Sequence, residues 1–131
     1  MKRTLAAIAA LGLVAGPAAA SAKSPIEGRW KNGKMEVVIA PCGGNLCGTV
    51  VKASAAQQAK AERGSDTDLI GARLVKDIAQ TGPRTYRATV FLADRNIYAR
   101  GTINQVSNDQ LHVRGCVLAI ICKSKTWDRM R

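Results

Sequence analysis

The feature that most constrains this chain is a long period-two alternation between Tyr86 and Gly115. Tyr86, Ala88, Val90 and Leu92 alternate with Arg87, Thr89 and Phe91. Ile97, Ala99, Gly101 and Ile103 alternate with Tyr98, Arg100, Thr102 and Asn104, and Leu111, Val113 and Gly115 with His112 and Arg114. An extended chain sends successive side chains to opposite faces, so this pattern predicts strands with one apolar and one polar face. Ala93 to Asn96 and Ser107-Asn108-Asp109 supply tight connections between them. Three hairpin-linked antiparallel strands follow, and a helical period fits none of them.

The flanking segments read the same way. Ile26 to Trp30 is a first strand, ended by the hairpin dipeptide Asn32-Gly33. Met35 to Ala40 is a second, stopped by Pro41, and Gly43-Gly44-Asn45 turns the chain into a third, Leu46 to Val51. One helical stretch interrupts the series. Ser54 and Gln57 have capping-box spacing, an Ala/Gln/Lys-rich run follows, and Gly64 offers a left-handed stop. Its apolar positions are mostly alanine, so a surface helix that buries little is expected. Asp66 to Asp68 is a polar connector, with capping or turn roles for its carboxylates. Leu69 to Ile78 reads as a short turn and then a strand. Thr81-Gly82-Pro83 makes the next turn, and Lys125 to Met130 forms a closing strand. The fold class is all-β: a small up-and-down antiparallel barrel of seven to eight strands with one short surface helix, because closure removes exposed sheet edges.

The N-terminus sets the location. Lys2 and Arg3 precede an apolar run from Leu5 to Val14, then Gly16-Pro17 and the small-x-small pattern Ala20-Ser21-Ala22. These are the three parts of a secretory signal peptide. The run is about ten residues, short of the roughly 20 that span a bilayer. The expectation is a signal peptide over 1–22, cleaved near Ala22, and a single domain over 23–131 in the periplasm or outside the cell. No integral membrane segment is expected. The net charge of +11 loses only Lys2 and Arg3, so the basicity belongs to the folded domain. Such a balance favours anionic partners. Export excludes nucleic acid, leaving anionic lipid, polysaccharide or a partner protein.

An oxidising compartment makes the cysteines readable. The four fall in two close couples, Cys42 with Cys47 and Cys116 with Cys122. Two local bridges are favoured; crossed pairing between the couples is the alternative. The spacings do not fit a zinc site, and His112 is the only histidine. Neither a metal nor another cofactor is expected. A nucleophile lacks a positioned base, the carboxylates are scattered, and no phosphate loop or nucleophile elbow is present, so no catalytic residue is assigned.

Gly28-Arg29-Trp30 opens the first strand and Trp127-Asp128-Arg129 closes the last. In an up-and-down barrel these strands are neighbours, so a guanidinium from one can stack on an indole from the other. This G-x-W with a closing Arg resembles the lipocalin/calycin signature. The whole of 23–131 more closely resembles the bacterial domain of unknown function 2147 family. The resemblance rests on Gly28-Arg29-Trp30, the run Val38 to Gly48 with its C-G-x-x-L-C-G core, Leu111 to Cys116, and Thr126-Trp127-Asp128-Arg129. It implies an exported lipocalin-like barrel closed by Trp30 and Arg129, with disulfide-bonded cysteines and no established activity. The acidic stretch and Arg-x-Arg-Pro-Leu-x-Gly segment of many members are missing; only Leu69 to Arg73 stands there.

Three functions are compatible with this reading. The first is a non-enzymatic carrier of a small apolar or amphipathic ligand, held in the barrel by Tyr86, Ala88, Val90, Ile97, Ala99, Ile103 and Val113. Small inward residues either open a cavity or let a narrow barrel close around larger side chains, and the short chain tilts the balance to a filled barrel. The second is a cell-envelope interaction module acting through an outward basic face of Arg87, Arg100 and Arg114. The third is an inhibitor of an exported enzyme, presenting the Cys42–Cys47 or Cys116–Cys122 loop. The carrier ranks first.

Overall fold

The computed structural model describes residues 23–118 and 120–131. The expected signal peptide lies outside the described residues. Eight strands close into one antiparallel barrel in simple chain order. They are β1 (Gly28–Asn32), β2 (Met35–Pro41), β3 (Leu46–Lys52), β4 (Arg73–Gly82), β5 (Thr85–Leu92), β6 (Ile97–Ser107), β7 (Gln110–Val117) and β8 (Ile121–Arg129). A helix, α1 (Ala55–Ser65), joins β3 to β4. Each strand pairs with the next, and β1 pairs with β8 through Trp30↔Arg129 and Lys31↔Asp128. That last pairing removes both sheet edges.

Alternation decides which side chains face inward. Tyr86, Ala88, Ala99, Ile103, Leu111 and Val113 are buried, while Arg87, Arg100, His112 and Arg114 on the intervening positions are exposed. The chain order then gives the barrel two distinct ends. At one end lie the Gly33–Lys34 turn, α1, the Ala93–Asn96 turn and the β7–β8 connection. At the other lie the Cys42–Asn45 turn, Pro83–Arg84, Asn108–Asp109 and the entering segment 23–27.

The second end is plugged. Ile26 is fully buried, and its carbonyl accepts a hydrogen bond from Trp30 Nε1 at 2.9 Å. The Arg129 guanidinium lies 4.3 Å from the Trp30 ring centroid. Its Nη2 donates to the Pro25 carbonyl at 2.7 Å, Nη1 to Glu27 at 3.0 Å and Nε to Asn108 at 2.8 Å. One side chain thus stacks on the barrel's largest core residue and ties the entering segment across its base. Gly28 explains why this G-x-W begins with glycine. Its φ is +135°, and a Cβ there would stand 2.8 Å from Arg129 Nη1.

Several boundaries differ from those expected. The first strand begins at Gly28 rather than Ile26, because Ile26 is used as the plug. The hairpin turn is Gly33–Lys34, with Gly33 at φ +62°, rather than Asn32-Gly33. β2 continues through Pro41, and β4 runs on to Gly82, so Pro83 and Arg84 make the turn. A bulge at Asp77, with φ +54°, bends β4 where its register against β5 shifts. The Ser54–Gln57 capping box forms as read, but the left-handed cap is Asp66 and not Gly64. β8 begins at Ile121, so Cys116 and Cys122 are cross-strand partners in a hairpin rather than the ends of a free loop.

Both cysteine pairs are local: Cys42–Cys47 and Cys116–Cys122. Crossed pairing is geometrically excluded, because the two couples occupy opposite ends of the barrel. Among the described residues no helix is long and apolar enough to cross a membrane.

Candidate functional site

The barrel is filled at its plugged end and hollow at the other. Trp30, Ile39, Ile78, Ile103 and Leu111 pack the filled part, each essentially without exposure. Toward the helix end the side chains shrink and a cavity of about 520 Å³ opens. Ala99 and Gly115 make this room. They sit on adjacent strands, and a Cβ built on Gly115 would meet the Ala99 methyl at 3.8 Å, ordinary contact distance. The other small pair behaves differently. A Cβ on Gly101 would stand 2.8 Å from Val90 Cγ2, so Gly101 lets the wall pack.

Of the residues expected to line a ligand site, Val90, Ala99 and Val113 line this cavity. Tyr86, Ala88 and Ile103 are instead buried in the core cluster. Ile97 is half-buried and is not among the cavity walls. The Tyr86 hydroxyl is buried without a hydrogen-bond partner among the described residues. Alternation marks the inward face but carries no information on how far along the axis the core is filled.

The roof is α1. Gln57, Lys60 and Ala61 face the cavity, and Ala61 is buried. The helix is pinned to the β5–β6 turn: Ser65 Oγ donates to the Ala93 carbonyl at 2.6 Å. A Cβ on Gly64 would stand 2.2 Å from the Asp94 carbonyl oxygen, so glycine here allows the helix to touch the turn's backbone. As its alanine-rich pattern predicts, the helix lies on the surface and buries little, Ala61 being its one buried residue, while its inner side roofs the cavity.

The wall contributed by β8 is the part of the site the sequence reading missed. Ile121, Lys123, Lys125 and Trp127 alternate along β8 and all line the cavity. Lys123 stands opposite Gly115 and Lys125 opposite Val113 in the ladder. Two ammonium groups therefore stem from the apolar cavity's own wall and stay exposed at its open side. Lys60 and Arg95 add two more cations at the rim. None of the four pairs with a carboxylate within salt-bridge distance among the described residues. The signal was available: the Ile121-Lys123-Lys125-Trp127 register follows from reading Trp127 as inward and stepping back by two.

The expected basic face is assembled by the ladder. Thr102 on β6 is flanked by Arg87 on β5 and Arg114 on β7, and Arg100 lies two residues along β6. All three arginines are exposed. His112 is exposed on the same outer side. Among the described residues no three His, Cys, Asp or Glu side chains gather where they could hold a metal ion.

Residues 28–129 match the model of a bacterial family described as "Uncharacterized protein conserved in bacteria (DUF2147)". The fold is similar to that of a solved Helicobacter pylori protein described as belonging to the lipocalin family. The two share 14% identity at a TM-score of 0.64, over 81% of this chain and 83% of that one. No curated relative matches.

Proposed function

The chain belongs to the DUF2147 family of bacterial proteins, and from that premise we propose that it is an exported, non-enzymatic carrier of a small amphipathic ligand. The observation that carries this reading is the cavity itself: about 520 Å³, apolar-walled, roofed by α1 and edged by unpaired cations. Ligand pockets commonly have volumes of about 300–1,000 Å³ and combine apolar walls with a few polar groups that fix orientation. An apolar chain would lie between Val90, Ala99 and Val113. An anionic end group would remain at the open side, against Lys123 and Lys125. Export is supported by two disulfides in a small domain and by the tripartite N-terminal segment.

Native mass spectrometry of the oxidised protein, purified gently from the envelope fraction, tests the reading. A reproducible adduct that leaves on denaturation is the expected result. Ala99→Trp should lose the adduct while the barrel stays folded, because the indole fills the cavity. Lys123→Glu with Lys125→Glu should weaken an anionic ligand about tenfold or more, equivalent to about 1.4 kcal/mol. A bare mass in the unmodified protein, with no uptake of any fatty acid or lysolipid offered, would reject the carrier.

A second reading has a specific observation behind it. The ladder brings Arg87, Arg100 and Arg114 to one exposed outer face. Salt-sensitive binding to an anionic envelope polymer, abolished by replacing the three together, would favour an interaction module.

A further inference from the structure

The two most exposed large aliphatic side chains among the described residues sit together at the β7–β8 hairpin: Leu118 and Ile120 are each 81% exposed, and beside them Ile121 is 57% exposed. A soluble barrel gains nothing from three branched aliphatics on one projecting tip. The residues flanking the tip are constrained. Leu118 occupies the left-handed region at φ +57°, which a branched side chain adopts only under constraint. Immediately behind it, the Cys116–Cys122 bridge joins the two strands across one rung.

The surroundings of the tip are graded. Tyr98, 60% exposed on β6, lies two residues nearer this end than Arg100, the ladder partner of Cys116. Its ring stacks on Phe91 at 4.9 Å, and Lys76 Nζ lies 4.7 Å from its centroid. The rung of the disulfide itself runs Lys76, Thr89, Arg100, Cys116, Cys122. Lys123 follows on the next. The tip therefore presents exposed aliphatic side chains, with an exposed tyrosine level with Leu118 on the neighbouring strand, and cations on the rung behind them. The carboxylates at this end of the barrel, Glu36, Glu62, Asp66, Asp68 and Asp94, are on β2, α1, the α1–β4 connection and the β5–β6 turn, none of them on β7 or β8.

We propose that the disulfide-stapled β7–β8 tip is a membrane-docking element that inserts Leu118, Ile120 and Ile121 into the surface of an anionic bilayer. A bilayer offers the matching chemistry: acyl chains and an interfacial zone favoured by tyrosine for the tip, and phosphates for the cations behind it. Cations just above an anionic surface add attraction that falls off with salt. Exposed aliphatic side chains need only a fluid apolar surface, whereas a protein partner would have to supply a matching socket. Val117 and Ile121 belong both to this hairpin and to the cavity wall. Docking would thus hold the cavity's open end at the lipid surface. The inference does not depend on the cavity holding a ligand.

The test is flotation of the oxidised protein, its N-terminus determined by mass, with vesicles of phosphatidylglycerol and phosphatidylethanolamine and with vesicles of phosphatidylcholine. Partition onto the anionic vesicles, declining as salt is raised, is expected. Leu118→Ser with Ile120→Ser should reduce it at least tenfold, and the high exposure of both positions leaves the fold intact, as an unchanged melting temperature would verify. Ile120→Trp should shift its emission to the blue when anionic vesicles are added. Ala99→Trp should bind vesicles as the unmodified protein does, so failure of the carrier reading leaves this result standing. Absence of binding to anionic vesicles, equal partition onto both compositions, or full binding by the double serine variant would each overturn the proposal.

Discussion

Arg129 shows how much one side chain can hold. It stacks on Trp30 and donates to three main-chain carbonyls, two of them in the entering segment. Hydrogen bonds from a charged donor contribute about 1.5–3 kcal/mol in favourable settings, and a partly buried cation–π contact about 0.5–2 kcal/mol. These contributions overlap, so Arg129→Ala should cost about 3 kcal/mol rather than their sum. Arg129→Lys should fall between the two, since an ammonium keeps the charge but cannot form the three-way fork. Denaturant midpoints would order the series; equal stability of the alanine variant and the parent would show that the plug is held elsewhere. Tyr86 offers the opposite case. Its buried hydroxyl has no hydrogen-bond partner among the described residues, so Tyr86→Phe should leave stability unchanged or raise it by about 1 kcal/mol. A loss of stability in the same measurement would mean that the hydroxyl is satisfied.

At the scale of elements, α1 is set by two opposing tendencies. Its capping box closes the first turn, with Gln57 N–H donating to Ser54 Oγ at 3.1 Å and Ser54 N–H to Gln57 Oε1 at 2.9 Å. Ser54→Ala should therefore cost about 1 kcal/mol. Glycine inside a helix costs about 1 kcal/mol relative to alanine, so intrinsic propensity alone would have Gly64→Ala stabilise. The backbone of Asp94 reverses that sign. A Cβ at 2.2 Å from its carbonyl oxygen forces the helix off the β5–β6 turn, and overpacking of this kind typically costs about 1–3 kcal/mol. A melting temperature that falls on Gly64→Ala is the expected outcome; a rise would show that the lid is not pressed on the barrel. The two disulfides act at the same scale. Each closes a loop of a few residues, worth roughly 2 kcal/mol in the chain-entropy model, and each staples the turn at one end of the barrel.

For the whole molecule, closure couples everything to the plug. β1 is five residues long and meets β8 at only two registered pairs, so side chains must reinforce the seam. Ile26 and Trp30 do this from inside and Arg129 from the rim. Ile26→Ala should cost about 2–5 kcal/mol, and unfolding should remain a single transition, because a barrel opened at one seam exposes both edges and its core together. Separate transitions for the tryptophan signal and the far-ultraviolet signal would show instead that the plug detaches alone. The same asymmetry organises function. One end is sealed by large side chains and main-chain hydrogen bonds. The other combines small walls, a helix pinned across the opening and a lysine-bearing strand, and this is where a ligand and a membrane surface would both meet the protein.

The sequence by itself determined the local order. Alternation from Tyr86 to Gly115 named the inward and outward faces, because extended backbone has a period of two. Turn residues delimited the strands within a few positions, the capping box placed the start of α1, and the short cysteine spacings favoured the pairing that forms. Gly28, Trp30 and Arg129 were legible as a closing set because closure makes the first and last strands neighbours. What only the tertiary structure decided is depth along the barrel axis. The pattern that made Tyr86, Ala88, Ile103 and Ala99 equally inward could not say that the first three lie in solid core and Ala99 beside open space. That depends on which side chains arrive from the opposite wall, and those come from strands distant in the chain. The inward turn of Lys123 and Lys125, the close approach of Gly64 to Asp94 and the use of Ile26 as a plug have the same origin. Each is a contact between segments whose separation is fixed by the closed ladder and not by their own residues.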